Sequence, residues 1–393
     1  MLGAVPSNSR AGTALVLTGV AGLVLLAGCD GSSAPPVRSS APPAGSSASP
    51  ANGSGASRLA SGASTGGSAQ TSASTSSRPA TPGTVRIGFA GDVHFSERTA
   101  ALLAADPATA FGPAAAVLSA PDLTMVNLET AIAVGGQPAA KSFTFQAPPS
   151  AFTALKAAGV DIVTMANNHA ADYGSAGLAQ TLAAIKSSGF PVVGIGANAD
   201  AAFAPYYTEI NGVRLAILAA SQVQEETLAN FSATNTQPGI ANAYSDRLIA
   251  SVRAAKAHAD AVIVYLHWGT EYQNCPNGDQ VALAARLAAA GAAAVVGTHA
   301  HVLQGAGWRP DGRYVAYGLG NYFWWRSFGN AQDDAGVLTL TVTRDRVTGA
   351  VFAPGRLDER GIAVPATGAS ASRILEELEQ ARQCTGLLAK PPR

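Results

Sequence analysis

Five short strings of polar residues could do chemistry in this chain. Asp92 and His94 stand two apart in Phe89-Ala90-Gly91-Asp92-Val93-His94, and His299 and His301 repeat that spacing in Gly297-Thr298-His299-Ala300-His301. Between them come Asn127-Leu128-Glu129, Asn167-Asn168-His169 and His267-Trp268-Gly269. On extended backbone, residues i and i+2 point to one face, so each spaced pair can aim two ligand atoms at a single point. Carboxylates and imidazoles drawn from distant sequence form a donor set for divalent metals. Each string alone has a plainer reading. Asn-Leu-Glu serves as a turn or helix cap, Asn-Asn-His as a loop, and His267 beside Trp268 as a buried, hydrogen-bonded histidine. Their common position is what joins them: each follows an apolar β-run.

The elements around them explain that position. Val85-Arg86-Ile87-Gly88-Phe89 reads as a buried strand and residues 123–129 and 160–166 as two more, with helices expected over 96–105, 113–118, 150–158 and 174–188. Leu178, Leu182 and Ile185 recur one turn apart in the last of these, and Gly189 closes it. Residues 192–196 read as a further short strand. Strand and helix alternate, the rhythm of a largely parallel sheet covered on both faces. Ligands in such sheets bind outside the carboxyl ends of strands, where all five strings fall. Farther on, residues 206–210 and 213–220 flank Asn211-Gly212, a strong hairpin signal. Helices over 245–258 and 279–290 precede strands over 261–266 and 293–296. The runs 313–319, 336–343 and from Val351 onward are β-like, and a final amphipathic helix over 372–383 carries Ile374, Leu375, Leu378 and Ala381 on one face. The sixth histidine, His258, near a helix end, reads as a solvated residue facing the helix dipole. The order predicts an α/β protein built as a four-layer α/β/β/α sandwich.

The chain of 393 residues does not begin with this domain. Arg10 precedes an apolar run from Thr13 to Leu26 that ends in Leu26-Ala27-Gly28-Cys29, the pattern of an export signal too short for a comfortable membrane span. Its end resembles the bacterial lipobox, which implies cleavage before Cys29 and acylation of that cysteine; an ordinary signal peptide with an incidental cysteine is the alternative. Residues 1–28 are therefore read as signal peptide. Residues 29–83 are read as a Ser/Ala/Gly/Pro-rich tether that cannot bury enough apolar surface to fold, and 84–393 as the domain. Location at the outer face of the cell membrane follows from that reading. Lys and Arg together number 25 and Asp and Glu 25, and no basic run is present, which argues against nucleic acid as partner. With Cys29 assigned to lipid, Cys275 and Cys384 remain, and outside the cytoplasm they are expected to pair.

The ordered set Asp-x-His, carboxylate, Asn-His, His and Gly-x-His-x-His resembles the calcineurin-like metallophosphoesterases. Asn127-Leu128-Glu129, Ala166-Asn167-Asn168-His169 with Asp172-Tyr173-Gly174, His267-Trp268-Gly269-Thr270-Glu271-Tyr272, Gly297-Thr298-His299-Ala300-His301-Val302 with Gln304, and Gly318-Leu319-Gly320-Asn321-Tyr322-Phe323 are similar to the CapA family, named for poly-γ-glutamate capsule synthesis. The resemblance implies two divalent metal ions, one held by Asp92, His94 and His301, the other by Asn168, His267 and His299, with Glu129 bridging. Mixed nitrogen and oxygen ligands suit Mn, Fe or Zn better than Mg. His169 would be the proton donor or charge stabiliser. Asn127, Asn167, Glu271 and Asn321 are expected to orient ligands or to contact substrate. Lys141 is read either as a contact for an anionic substrate or as a solvated lysine. Trp324 and Trp325 would line the cleft or pack in the core. Glutamate where most of the superfamily bridges with aspartate, and Ala300 where CapA sequences commonly have proline, are departures.

Three functions follow from these readings. The first is a membrane-anchored hydrolase that acts in synthesis, release or remodelling of an anionic envelope polymer such as poly-γ-glutamate. The second is a non-catalytic assembly or anchoring component beside membrane-bound subunits of a polymer synthase. The third is a phosphoesterase on another envelope substrate. The full ligand set favours an enzyme over a scaffold.

Overall fold

The alternation of apolar runs resolves into two sheets in the computed structural model, which describes residues 81–393. Cys29, the signal segment and all but the last few residues of the tether lie outside the described residues. The first sheet runs in the order Ala363–Pro365, Val347–Leu357, Asp334–Val342, Val85–Val93, Leu123–Leu128, Ile162–Thr164, Val192–Val193, and Asn321–Phe323 also pairs with Val85–Val93. The second runs Ala306–Trp308, Tyr314–Ala316, Ala294–Thr298, Ala261–His267, Val213–Ser221, Tyr206–Ile210.

The central strands are apolar on both faces because both faces are covered. In Ala261–His267, Ile263 and Tyr265 enter the core between the sheets, where they meet Ile87, Phe89 and Met125. Val262 and Val264 alternate outward to Leu248, Val252, Leu283 and Leu287, contributed by helices Asp246–His258 and Gly278–Ala290. On the first sheet Val126 and Val163 face Phe152, Leu155 and Leu178, from helices Ser150–Ala157 and Gly174–Ser188. Helix, sheet, sheet, helix is the four-layer order expected. The phenol of Tyr265 donates to the Ala90 carbonyl across the two sheets, at 2.5 Å, and so satisfies a hydroxyl that the apolar interior would otherwise penalise.

Several boundaries differ from the sequence reading for local reasons. Residues 192–196 are not one strand. Gly194 turns the chain at φ +82°, so Val192–Val193 joins the first sheet while Ile195–Gly196 pairs with Gly239–Ile240. The C-terminal half of the first sheet is antiparallel rather than parallel. The last helix starts a turn earlier than expected, at Gly368–Gln383, and buries Ile374 and Ala381 but leaves Leu375 exposed. Asn321–Phe323, read only as part of a motif, is a strand parallel to Val85–Val93. Its approach depends on Gly91, where a Cβ would meet the Gly320 carbonyl oxygen at 1.9 Å. Among the described residues no helix is long and apolar enough to cross a membrane.

Cys275 and Cys384 form a disulfide, Cα atoms 5.8 Å apart and 109 residues apart in sequence. It fastens the loop beyond His267 to the end of the C-terminal helix. Closing so long a loop restricts the unfolded chain, so Cys275→Ser, Cys384→Ser is expected to cost about 2–5 kcal/mol in urea unfolding. Wild-type protein should lose a similar amount in reductant; unfolding curves that coincide with and without reductant would contradict this.

Candidate metal centre

Register brings the polar strings together. Asp92 is the Cα partner of Asn127 on one side and of Asn321 on the other. In the second sheet His267 pairs with Thr298 and with Ser221. The carboxyl ends of both sheets therefore meet at one place, and Asp92, His94, Glu129, Asn168, His169, His267, His299 and His301 are all buried there.

Asn127 is the hub of the first sheet's contribution. Its amide nitrogen lies 2.8 Å from Asp92 Oδ1, 3.2 Å from Glu129 Oε2 and 3.1 Å from His267 Nδ1. Asn167 holds that amide in turn, donating to Asn127 Oδ1 at 2.9 Å and to the Leu128 carbonyl at 2.8 Å. Asn168 Oδ1 faces His267 Nε2 at 2.9 Å because its amide nitrogen donates to Glu225 Oε2 at 2.9 Å. Asn321 Oδ1 lies 3.0 Å from His301 Nδ1. Asn127, Asn167 and Asn321 thus contact residues of the expected ligand set or one another. Glu271 makes no such bond; it lines the entrance instead.

Two overlapping groups have ligand atoms all within 4.8 Å of one another: Glu129 with His299 and His301, and Glu129 with Asp92 and His267. Glu129 belongs to both. His299 and His301 share one group and Asp92 and His267 the other, while His301 Nδ1 also lies 3.3 Å from Asp92 Oδ2. His94 stands in neither. Its ring stacks on Trp324 with centroids 4.0 Å apart, and its Nε2 accepts from the Trp325 N–H at 2.9 Å. The His299-x-His301 segment is also not extended. The strand ends at Thr298, and both histidines take left-handed backbone, φ +92° and +55°, a strain of about 1–3 kcal/mol each that surrounding packing must offset.

The donor set fits divalent cations on a direct observation. His299 Nδ1 and Glu129 Oε1 are buried with no hydrogen-bond partner, and buried polar atoms are ordinarily satisfied. Electrostatics agree. Burial pushes the Glu129 carboxyl well up, with the Asp92 charge adding to it. Burial pushes Asp92 up too, yet the His301 hydrogen bond and the nearby imidazoles outweigh this and hold it well below the usual carboxylate range. His301 is the reverse case: burial lowers it, but Asp92 and Glu129 raise it to about 9. Burial brings His267 down to about 4 and His94 and His299 well below the usual range. Protons on Glu129 and His301 thus take the part that a cation would displace.

His169 stands beside this cluster. Its Nδ1 lies 2.7 Å from Asp172 Oδ2 and its Nε2 lies 3.8 Å from Glu129 Oε1. Asp172 also accepts from the Phe145 N–H at 2.6 Å. Lys141 is corrected by the structure: it is neither solvated nor turned to a substrate. Its ammonium is bonded to Asp172 Oδ1 at 2.6 Å and to the Asn168 carbonyl at 2.7 Å. Sequence reasoning missed the roles of Asp172 and Glu225. Glu225 follows the end of Val213–Ser221, so the strand-end logic that found the histidines points there as well. Trp324 is both packed against His94 and, with Trp325, part of the entrance.

A four-layer sandwich with this cluster at its strand ends defines the class as a metallophosphoesterase-type fold. The family described as bacterial capsule synthesis protein PGA_cap matches residues 86–324, and the chain belongs to it. It is 36% identical over 203 residues to the capsule biosynthesis protein CapA of Bacillus anthracis, covering 51% of this chain and 48% of that one. It is 34% identical over 200 residues to the PGA biosynthesis protein CapA of Bacillus subtilis (strain 168), covering 50% of each. The chain spans about half the length of the curated relatives it matches. Among solved structures, a hypothetical protein from Thermus thermophilus has a TM-score of 0.45 at 19% identity, covering 69% of this chain and 99% of that one.

Lys141 offers a test of the charge arrangement. Burial pushes the Asp172 carboxyl up to about 7 against the pull of Lys141, so Lys141→Met should raise it further. An acid raised on folding is fully stabilising below its unfolded value and loses that contribution as pH rises through its folded value. Wild type stops losing stability near pH 7 on this account, while the variant continues to lose it. The deficit of Lys141→Met, on the order of 3 kcal/mol near neutrality, should widen from about pH 6 to about pH 9 in urea unfolding. A deficit that narrows over that range would contradict the assignment.

Proposed function

We propose that the protein is a metal-dependent hydrolase of the cell envelope, acting in synthesis, release or remodelling of an anionic polymer such as poly-γ-glutamate. In this reading a lipid on Cys29 holds the domain at the outer face of the membrane, within reach of membrane-bound polymer synthase subunits. The observation that carries the hydrolase reading is the pair of unpartnered buried atoms, His299 Nδ1 and Glu129 Oε1, in a cluster that also buries the Asp92 carboxylate. Membership of the capsule synthesis family supports the polymer.

Asp92, Glu129, Asn168, His267, His299 and His301, with His94 beside them, would hold two divalent ions. Such ions polarise a phosphoryl or carbonyl oxygen and lower the pKa of water near neutrality. The chain's own part is orientation and proton handling. Asn127, Asn167, Asn321 and Glu225 fix the ligand side chains so that little rearrangement is needed during reaction. Asp172, as an acceptor, sets His169 with its proton on Nδ1 and leaves Nε2 turned to the cluster. Burial keeps the ring neutral, so Nε2 carries a lone pair that can take the proton of the attacking water and pass it to the leaving oxygen.

The expected result is turnover of activated aryl phosphates, of poly-γ-glutamate, or of both by full-length protein loaded with Mn or Zn. His169→Asn should lower kcat about 10²–10⁴-fold while metal content stays unchanged. No turnover of any ester or amide by the metal-loaded wild type would overturn the reading and leave an assembly role.

A further inference from the structure

The entrance to the centre carries a cation that the reaction scheme leaves unused. Beyond Asn321–Phe323 the chain runs through Trp324, Trp325 and Arg326 along a cavity that His169 and His301 also line. The Arg326 guanidinium carbon sits 4.3 Å from the Trp325 ring centre and 4.5 Å from that of Phe328. Contacts of this kind position a guanidinium without consuming its N–H donors. The acids nearby in sequence are committed elsewhere. Asp333 accepts from Ser327 Oγ at 2.8 Å and from the N–H groups of Phe328 and Gly329 at 2.7 Å. Asp334 pairs with Arg356 and Arg373, each at 2.6 Å. Lys141, the other cation close to the centre, is held by Asp172. Arg326 is therefore an exposed cation, fixed over two aromatic rings at the mouth of the site, with its donors unspent. Its planar fork matches a carboxylate or a phosphate through two parallel hydrogen bonds.

We propose that Arg326 is a specificity residue: it grips an oxyanion that the substrate carries beside the bond being broken, so that substrates with a second anionic group are preferred. A γ-linked glutamate chain presents that oxyanion as a carboxylate, a phosphorylated precursor as a phosphate, and the same fork serves either. Glu271 lines the same cavity, so an anion is sorted there by position and not by a general positive field. The catalytic part of this inference rests on the hydrolase reading; the binding part does not.

The test uses full-length wild type, Arg326→Lys and Arg326→Met, each loaded with Mn and matched for metal content. Tryptophan fluorescence, with Trp324 and Trp325 as reporters at the mouth, follows titration with a γ-linked glutamate oligomer and, separately, with glycerol phosphate. The dissociation constant for at least one ligand should rise about tenfold or more in Arg326→Met, the scale of a lost charge-assisted pair. Arg326→Lys should fall between, because it keeps the charge and loses the fork. The ligand that responds identifies the oxyanion. In parallel, the ratio of kcat/KM for a carboxylate-bearing aryl phosphate to that for phenyl phosphate should fall about tenfold in Arg326→Met. Equal affinities in all three proteins, or no binding of either ligand to wild type, overturn the proposal. Binding that depends on Arg326 in a protein that turns nothing over supports it and removes the hydrolase reading instead.

Discussion

Asp92 and Glu129 are carboxyl groups with no exposed surface that share a single amide nitrogen, that of Asn127. Two such groups cannot both be ionised in a dry site unless positive charge is brought to them. His301 supplies part of it, and a proton on Glu129 removes the rest. Much of the surrounding structure follows from that constraint. Neutral imidazoles surround the carboxylates, amides rather than more charges hold them, and the Lys141 ammonium is bonded to Asp172 instead. The arrangement is costly as a fold and well suited to cations, since bound metal ions would supply the missing charge.

The sandwich makes the meeting of these groups possible. Asp92 and Asn127 come from one sheet, His267, His299 and His301 from the other, and the Tyr265 phenol bonded to the Ala90 carbonyl ties the two just beneath the site. Left-handed backbone at His299 and His301 turns the chain out of the strand so that both rings face Glu129. Gly91 has no side chain because the Gly320 carbonyl needs its place, and that contact sets Asn321 beside Asp92. The disulfide lies outside this inner set, holding the loop that follows His267 from behind.

Much of this was legible in the sequence because it depends on order and period. Doubly buried strands read as continuous apolar runs, the Asn211-Gly212 hairpin announces itself, and polar residues at strand ends follow from the rule that parallel strands converge at their carboxyl ends. What could not be read depends on torsion and on third parties. Nothing in the residue types says that His299 and His301 leave the extended region. His94 keeps its spacing from Asp92 but is drawn aside by Trp324 and the Trp325 N–H. Lys141 looked like a surface cation because its partner, Asp172, lies far along the chain. Gly194 splits one apparent strand between two sheets by a single positive φ.

The central claim is that the buried charge of this centre is meant for cations. The most direct measurement is elemental analysis of the purified full-length protein beside a His299→Ala, His301→Ala double variant. The account predicts about two transition-metal ions per chain in wild type and their loss in the variant. A wild type that stays metal-free after incubation with Mn, Fe and Zn would contradict it.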